Sequence, residues 1–294
     1  MLSTPRGALA GRTVSRVGYG AMQLERLGKD QAVALLRRAV ELGVDHIDTA
    51  QFYGNGFVNG VIRDAIGDDV LIAGKVGADP DPGGAFPLRL AQRPEELRAS
   101  VEDNLRTLGL DRIPLVNLRR ADRRPGLVAE GDQRVGLDDQ LEVMTALRDE
   151  GKIGAIGLSA VTLDTLRRAL PAGIACVQNA YSLVGRDDED MLELCVAEGI
   201  AWVPFFPLGG AFPHLPKVTD EPAVQAAARA LGHTPAQVGL AWLLHRAPNV
   251  HLIPGTASVA HLEANLAAAD IALDGETLAE LAAVPARSMD ASLG

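Results

Sequence analysis

The sequence predicts an α/β protein, a closed (β/α)8 TIM barrel, with residues 1–294 forming a single domain. Eight short apolar runs alternate along the chain with segments of helical periodicity. Runs such as residues 71–73 (LIA) and 201–203 (AWV) are apolar on both faces, as in a parallel sheet covered by helices. An open doubly wound sheet also fits the alternation, but eight repeats in about 250 residues favour the barrel.

Each predicted strand is a short run dominated by apolar residues. The eight runs lie at residues 14–19, 46–49, 70–75, 113–118, 155–159, 175–179, 201–205 and 250–254.

The segments between the strands carry helical periodicity, and some of their ends carry start or stop signals. We predict helices at residues 30–42, 55–66, 94–108, 138–150, 163–170, 188–198, 222–231, 235–246, 259–268 and 278–283. Asp30 and Thr162 are candidate N-caps, Pro94 suits a first helical turn, and Gly43 and Gly109 suit helix ends. Residues 78–93 and 119–137 are expected to be irregular loops on the face where barrel enzymes build their sites.

Composition and charge exclude some classes of protein. Hydrophobic residues make up 47% of the chain, which is too much for a disordered protein, and the net charge of −10 argues against a nucleic-acid binder. Two cysteines form no disulfide framework, and the histidines and cysteines lack the spacing of a metal site. Without a membrane span or a secretion signal, we expect a cytoplasmic protein that has no membrane partner and is a monomer or small homo-oligomer.

Two segments imitate known glycine motifs and fail at one position each. Residues 54–59 (GNGFVN) lack the third glycine of the dinucleotide fingerprint G-x-G-x-x-G, and Lys75 stands where an acidic residue should follow. Residues 157–161 (GLSAV) lack the last glycine of the nucleophile elbow G-x-S-x-G. The sequence therefore favours neither a Rossmann domain nor a hydrolase.

Polar side chains stand at the ends of apolar strands. Asp48 ends the second strand, Tyr53 follows in the next loop, and Lys75 ends the third strand. A barrel brings these positions to one rim. Taken singly, Asp48 and Lys75 could be an ion pair and Tyr53 a loop-packing residue. Together they suit proton transfer, because a nearby ammonium group stabilises phenolate and is expected to lower the tyrosine pKa from about 10.

With their surroundings, these residues resemble the aldo-keto reductase family over nearly the whole chain. The resemblance is carried by segments 18–22 (GYGAM), 46–54 (HIDTAQFYG), 73–77 (AGKVG), 154–159 (GAIGLS), 178–181 (QNAY), 207–209 (PLG) and 253–256 (IPGT). It implies a (β/α)8 barrel that binds NADPH across the strand ends and passes a hydride to a small-molecule aldehyde or ketone. Residues 116–119 and 203–210 are similar to a bacterial subgroup, some of whose members are described as pyridoxal reductases.

Asp48, Tyr53 and Lys75 match the family's catalytic aspartate, tyrosine and lysine. Arg119 stands where the family usually has a catalytic histidine. Arginine can donate hydrogen bonds to a carbonyl oxygen or hold an anionic substrate group, and its alternative role is that of a structural salt-bridge partner.

The resemblance also implies a set of cofactor-binding residues. They are Gly20, Met22, Asp48, Ser159, Gln178, Phe205, Pro207, Leu208, Gly209, Gly210, Ile253, Gly255, Thr256, Ala257, Ser258, His261 and Asn265. Ser159 and Gln178 match the carboxamide contacts, and residues 207–210 match the pyrophosphate loop. Phe205 matches the ring that stacks on nicotinamide, and its alternative role is packing at the strand end. Residues 255–258 and His261 match the turn near the 2′-phosphate, where the N-terminus of a helix attracts anions. Asn265 matches a residue that contacts adenine. No Lys or Arg matches there, so NADH is an alternative cofactor.

Two other functions remain open at this point. A nucleotide-sensing barrel protein with little or no turnover is favoured only by Arg119 in place of histidine. An isomerase acting on phosphorylated substrates would use glycines such as those at 209, 210 and 255 as its phosphate site. The candidate pocket-lining residues are Phe52, Phe57, Phe86, Arg120 and Phe206.

Overall fold

The structure, a computed structural model, describes residues 5–123, 126–210 and 215–288. Within these residues the strands are β1 (Arg6–Leu9), β2 (Arg12–Ser15), β3 (Tyr19–Gly20), β4 (His46–Asp48), β5 (Leu71–Val76), β6 (Ala78–Pro80), β7 (Leu88–Leu90), β8 (Ile113–Arg119), β9 (Ile153–Ser159), β10 (Ile174–Gln178) and β11 (Ala201–Trp202). Seven of them pair in parallel as one sheet in the order β11-β10-β9-β8-β5-β4-β3.

Helices follow the strands, as predicted. They are α1 (Lys29–Glu41), α2 (Phe57–Ala65), α3 (Pro94–Leu108), α4 (Leu137–Asp149), α5 (Leu163–Ala169), α6 (Glu189–Ala197), α7 (Pro222–Leu231), α8 (Pro235–Arg246), α9 (Val259–Ala267) and α10 (Gly275–Ala282). The bounds of α3, α7 and α8 are those predicted, because each begins at a proline in its first turn. No helix in the described part of the chain is both long and apolar enough to cross a bilayer.

The predicted and observed helices differ mainly at their ends. Thr162 caps α5 as expected and accepts a hydrogen bond from the Thr165 amide. The prediction that Asp30 is an N-cap was wrong: Gly28 occupies that position, with no side-chain cap. The last helix starts earlier than predicted because the Asp274 carboxylate accepts a hydrogen bond from the Thr277 amide at 2.8 Å.

Closure of the barrel depends on residues 250–254, the predicted eighth strand. They form isolated parallel bridges rather than a full strand, joining Val250 to Trp202 and Leu252 to Val17. The amide of His251 donates to the Trp202 carbonyl at 2.8 Å. These bonds connect the last strand of the sheet to the segment before the first, so the predicted barrel is confirmed.

Two antiparallel hairpins were not predicted. The single strand expected at residues 14–19 was wrong: β1 and β2 form a hairpin, the chain bends at Arg16, and β3 begins only at Tyr19. The hairpin seals the lower end of the barrel, where Leu9 and Val14 join the interior core. The second hairpin, β6 with β7, lies within the expected irregular loop 78–93.

The barrel interior changes from apolar to polar along its axis. Leu71, Ala73 and Leu115 pack with the first hairpin at the lower end. Buried polar residues follow at the carboxyl ends of the strands, where β5 pairs with β8 in a register that sets Lys75 beside Asn117. A site at this upper end is therefore lined by polar groups shielded from solvent.

Candidate active site

An ion pair occupies the centre of the upper end. Asp48, the last residue of β4, and Lys75 of β5 are both buried, and Lys75 Nζ donates to Asp48 Oδ1. Nζ also donates to the Thr49 carbonyl at 3.2 Å. Burial alone would lower the pKa of Lys75, but the charge and hydrogen bond of Asp48 outweigh it and raise that pKa overall. Lys75 is therefore a fixed ammonium group.

Tyr53 reaches this ion pair from a tight turn between β4 and α2. Lys75 Nζ lies 3.4 Å from the Tyr53 hydroxyl oxygen and 5.3 Å from the ring centre. The turn that presents the phenol has three successive residues with left-handed φ angles, 54–56, two of which are glycines. The predicted cluster of Asp48, Tyr53 and Lys75 is thus brought together by the fold.

The expected acidification of Tyr53 was wrong. Burial raises the pKa of the phenol, the charge on Lys75 lowers it, the charge on Asp48 raises it, and the balance is a raised pKa. The physical reason is burial of the phenol, the largest effect, which outweighs the charge on Lys75; Asp48 partly cancels that charge as well. Tyr53 is consequently a protonated phenol throughout the neutral pH range.

Arg119 ends β8 at the same rim. Its backbone carbonyl accepts a hydrogen bond from Gln92 Nε2 at 2.7 Å, and Gly77 leaves room because a Cβ there would lie 2.2 Å from that oxygen. The guanidinium carbon lies 5.9 Å from the centre of the Phe52 ring, which in turn lies edge-on to Tyr53 at 5.1 Å. Burial lowers the pKa of Arg119, and the Tyr53 phenol opposes this shift. Within residues 5–123, 126–210 and 215–288, the side chain has no ion-pair or hydrogen-bond partner, so the structural salt bridge expected as its alternative is absent there.

The side chain of Gln178 shows whether the site fits a nicotinamide cofactor. Its Nε2 donates to Asp48 Oδ2 at 2.7 Å, while its Oε1 is buried and has no partner in the described residues. Ser159 lies beside it in the register of β9 and β10. An unpaired buried carbonyl calls for a ligand donor, and the carboxamide N–H of a nicotinamide is such a donor. The residues present therefore fit the cofactor that the resemblance implies.

The turn after residue 250 approaches the start of the barrel very closely. A Cβ on Gly20 would lie 2.5 Å from the Ile253 carbonyl oxygen, and a Cβ on Gly255 would lie 2.7 Å from the Gly20 carbonyl oxygen. Ser258 caps α9 by accepting from the His261 amide, and its own amide donates to Thr256 at 3.1 Å.

The remaining predicted cofactor residues lie in the 3-10 helix after β3, in the segment after β11, in the turn before α9 and on α9 itself. Met22 is 40% exposed in a short 3-10 helix after β3, Ala257 and Asn265 are half-buried, and His261 is exposed. Phe205 and Phe206 meet edge-on at 5.1 Å, both half-buried.

The amides of Gly209 and Gly210 donate hydrogen bonds to the protein's own carbonyl groups. The Gly209 amide donates to the Phe206 carbonyl at 2.9 Å, and the Gly210 amide donates to the Pro216 carbonyl at 3.1 Å. Leu208 packs against the main core, and Pro207 bridges to Gly209. Since a Cβ on Gly209 would lie 2.2 Å from the Pro216 carbonyl oxygen, these glycines are required by the close return of the chain.

Sequence reasoning missed the residues that hold the site in place. Asn59 donates to Gln51 at 2.8 Å, and Thr107 donates to the same Gln51 oxygen at 2.8 Å, which ties the Tyr53 turn to α2 and α3. Asn117 accepts a hydrogen bond from Cys176 at 3.0 Å inside the barrel, and its Nδ2 has no partner in the described part of the molecule. A polar residue inside an apolar strand is the signal that could have found Asn117.

The residues predicted to line the pocket differ in their surroundings. Phe52 contacts the Arg119 guanidinium, Phe57 packs on the core, and Phe86 is 47% exposed. Arg120 is committed elsewhere, because it donates to both Asp122 oxygens at 3.2 and 3.1 Å.

Comparisons with known proteins agree with this geometry. The model of the Aldo/keto reductase family matches residues 16–285. The chain is 41% identical to pyridoxine 4-dehydrogenase of Escherichia coli over 95% of this chain and 98% of the relative, and 34% identical to an uncharacterized oxidoreductase of Schizosaccharomyces pombe over 91% and 86%. It superposes on an aldo-keto reductase of Klebsiella pneumoniae in complex with NADPH with a TM-score of 0.78, at 27% identity over 95% and 94% of the two chains. The family match, the close relative and the shared barrel together establish that this chain belongs to the aldo/keto reductase family.

Proposed function

We propose that this enzyme is an NADPH-dependent carbonyl reductase in which Tyr53 is the proton donor, with Lys75 and Asp48 holding it in place. The single observation that carries the proposal is the contact of the Tyr53 hydroxyl with a buried ammonium group that is itself bound to a buried carboxylate. Asp48, Lys75 and Tyr53 form a compact acid–base group, and the Phe52 ring packs edge-on against Tyr53.

The protonation states of Tyr53 and Lys75 define the role of each group. Tyr53 keeps its proton at neutral pH, so it can donate a hydrogen bond to a carbonyl oxygen and transfer the proton as that oxygen becomes negative. Lys75 then stabilises the resulting phenolate, and Asp48 keeps Lys75 charged and in place. In the reverse direction the phenolate removes the proton from an alcohol.

The unpaired oxygen of Gln178 indicates where the cofactor would bind. When bound, NADPH supplies the hydride that reduces the carbonyl carbon. Gln178 Oε1 and Ser159 would bind its carboxamide, Phe205 would pack on its ring, and the N-terminus of α9 would face its 2′-phosphate. The segment near α9 offers hydroxyl groups and His261 but no Lys or Arg, so we expect measurable use of NADH beside a preference for NADPH.

The substrate class is proposed from the close relative. Because the E. coli relative is a pyridoxine 4-dehydrogenase, we propose pyridoxal and other aromatic aldehydes as substrates, and pyridoxine with NADP⁺ as the reverse pair. Phe52, Phe205 and Phe206 provide aromatic surface at the site, which suits a planar ring.

The test is a spectrophotometric assay of cofactor oxidation with a panel of aldehydes, pyridoxal included, run in parallel with titration of NADPH binding by fluorescence. We expect turnover of aromatic aldehydes with NADPH and weaker turnover with NADH. Tight NADPH binding with no turnover of any carbonyl would instead support a nucleotide-sensing protein. Absence of both would contradict the proposal.

A further inference from the structure

Arginines cluster after β8, and two of them are fully used by the fold. Arg120 binds the Asp122 carboxylate and donates to Gln140. Arg123 binds the Asp188 carboxylate at the start of α6. These two guanidinium groups hold the loop against the neighbouring helices.

Arg119 differs from both. No carboxylate pairs with its guanidinium in the part of the chain that the structure describes, although the group is half-buried beside Phe52 and Tyr53. The Phe52 ring contacts both Tyr53 and Arg119. Its centre lies 5.1 Å from the centre of the Tyr53 ring and 5.9 Å from the guanidinium carbon of Arg119.

Within the described residues, the charges at this site do not balance. Asp48 neutralises Lys75, and Tyr53 is an uncharged phenol, so Arg119 leaves one positive charge without compensation. A partly desolvated cation costs free energy unless an anion or strong acceptor binds it. A guanidinium group carries several N–H donors in one plane, and its charge strengthens the hydrogen bonds that it donates to an anionic oxygen.

We propose, on the basis of the function proposed above, that Arg119 binds an ionised oxygen carried on the atom next to the carbon that bears the substrate's aldehyde. The substrate class is therefore the ortho-hydroxyaryl aldehydes in their phenolate form. In this arrangement Tyr53 takes the carbonyl oxygen and Arg119 takes the neighbouring oxygen. The Phe52 ring contacts both side chains, which places them along the same wall of the site. Pyridoxal, whose ring carries a hydroxyl group next to the aldehyde, belongs to this class.

The matched probes are 2-hydroxybenzaldehyde and 2-methoxybenzaldehyde, since only the former can ionise. With the wild-type enzyme we expect kcat/KM to favour the hydroxy compound by about 10- to 100-fold, the range of one charge-assisted hydrogen-bonded contact. The preference should grow as pH rises through the ionisation of the substrate hydroxyl. In Arg119→Gln this ratio should fall to within about threefold of one, mainly through KM, and Arg119→Lys should keep an intermediate ratio because a point charge lacks the paired donors.

A control variant is Arg229→Gln, which makes the same chemical change at an exposed arginine of α7 and should keep the wild-type ratio. Calorimetric titration of the NADP⁺ complex, which cannot reduce the aldehyde, gives a readout that does not depend on turnover. At a pH where its hydroxyl group is ionised, 2-hydroxybenzaldehyde should bind more weakly to Arg119→Gln than to wild type. Equal efficiency with both aldehydes in wild type and Arg119→Gln would overturn this inference alone. Failure to reduce any aldehyde would overturn the proposed function as well.

Discussion

The side-chain amide of Gln178 donates from Nε2 to Asp48 Oδ2 across 2.7 Å and thereby joins β10 to β4 across the barrel mouth. The same amide keeps Oε1 buried and unpaired within the described residues. One side chain thus positions the carboxylate of the acid–base group and offers an acceptor to a ligand.

Replacing this amide should weaken cofactor binding. In Gln178→Met, which has similar volume and neither polar atom, we expect the Kd for NADPH to rise about 3- to 10-fold, the value of one neutral hydrogen bond. Fluorescence titration measures this directly. Gln225→Met, which removes a half-buried amide of α7 that donates to Thr219, is the control and should bind NADPH like wild type. An unchanged Kd in Gln178→Met would show that Oε1 receives no cofactor donor.

Stability should fall on acidification because of a buried histidine. Burial, together with the neighbouring His46 at 6.0 Å between ring centres, lowers the pKa of His251 to about 4. The unfolded chain takes up this proton near pH 6.5 and the folded chain only near pH 4, so the free energy of unfolding should fall within that window. We expect a loss of about 2–3 kcal/mol between pH 7 and pH 4.

Urea unfolding at several pH values measures this slope in wild type and in His251→Gln. The variant should show a smaller pH dependence between about pH 6.5 and 4, whatever its stability at neutral pH. An identical slope in both proteins would mean that His251 is not the group responsible.

Two glycines should respond to alanine in opposite directions. A Cβ on Gly157 of β9 would lie 2.1 Å from Asn117 Oδ1 and 2.7 Å from Cys176 Sγ, so Gly157→Ala should destabilise the barrel by about 1–3 kcal/mol. Gly60 lies within α2 with no atom within 4 Å of the added Cβ, so Gly60→Ala should stabilise by about 0.5–1 kcal/mol. Chemical unfolding of the two variants beside wild type tests the pair, and a stabilising Gly157→Ala would contradict the packing described here.

The sequence predicts the barrel and the cluster of Asp48, Tyr53 and Lys75 because both leave local signals. Alternation of apolar runs with helical periodicity identifies the repeats, and Lys75 stands out as a charge at the end of an apolar strand. The hairpin before β3 was missed because residues 14–19 read as one strand, and only the bend at Arg16, fixed by its hydrogen bonds to the Val250 and Leu244 carbonyls, divides them.

The electrostatic state of the site could not be predicted in the same way. The distance between Lys75 and Tyr53 depends on a turn of left-handed residues, and the pKa of Tyr53 depends on burial, which no short motif records. Arg119 likewise has two arginine neighbours in sequence, Arg120 and Arg123, that pair with carboxylates, so its own lack of a carboxylate partner in the described residues emerges only from the fold.

The central claim is that the Tyr53 phenol gives its proton to the carbonyl oxygen, and Tyr53→Phe tests it most directly. This variant removes the proton donor and leaves the ring packed against Phe52. Single-turnover reduction of an aromatic aldehyde, measured beside NADPH binding, should show a rate lowered by about 10²- to 10⁴-fold with a Kd within about twofold of wild type. A reduction rate equal to that of the wild-type enzyme would contradict the account.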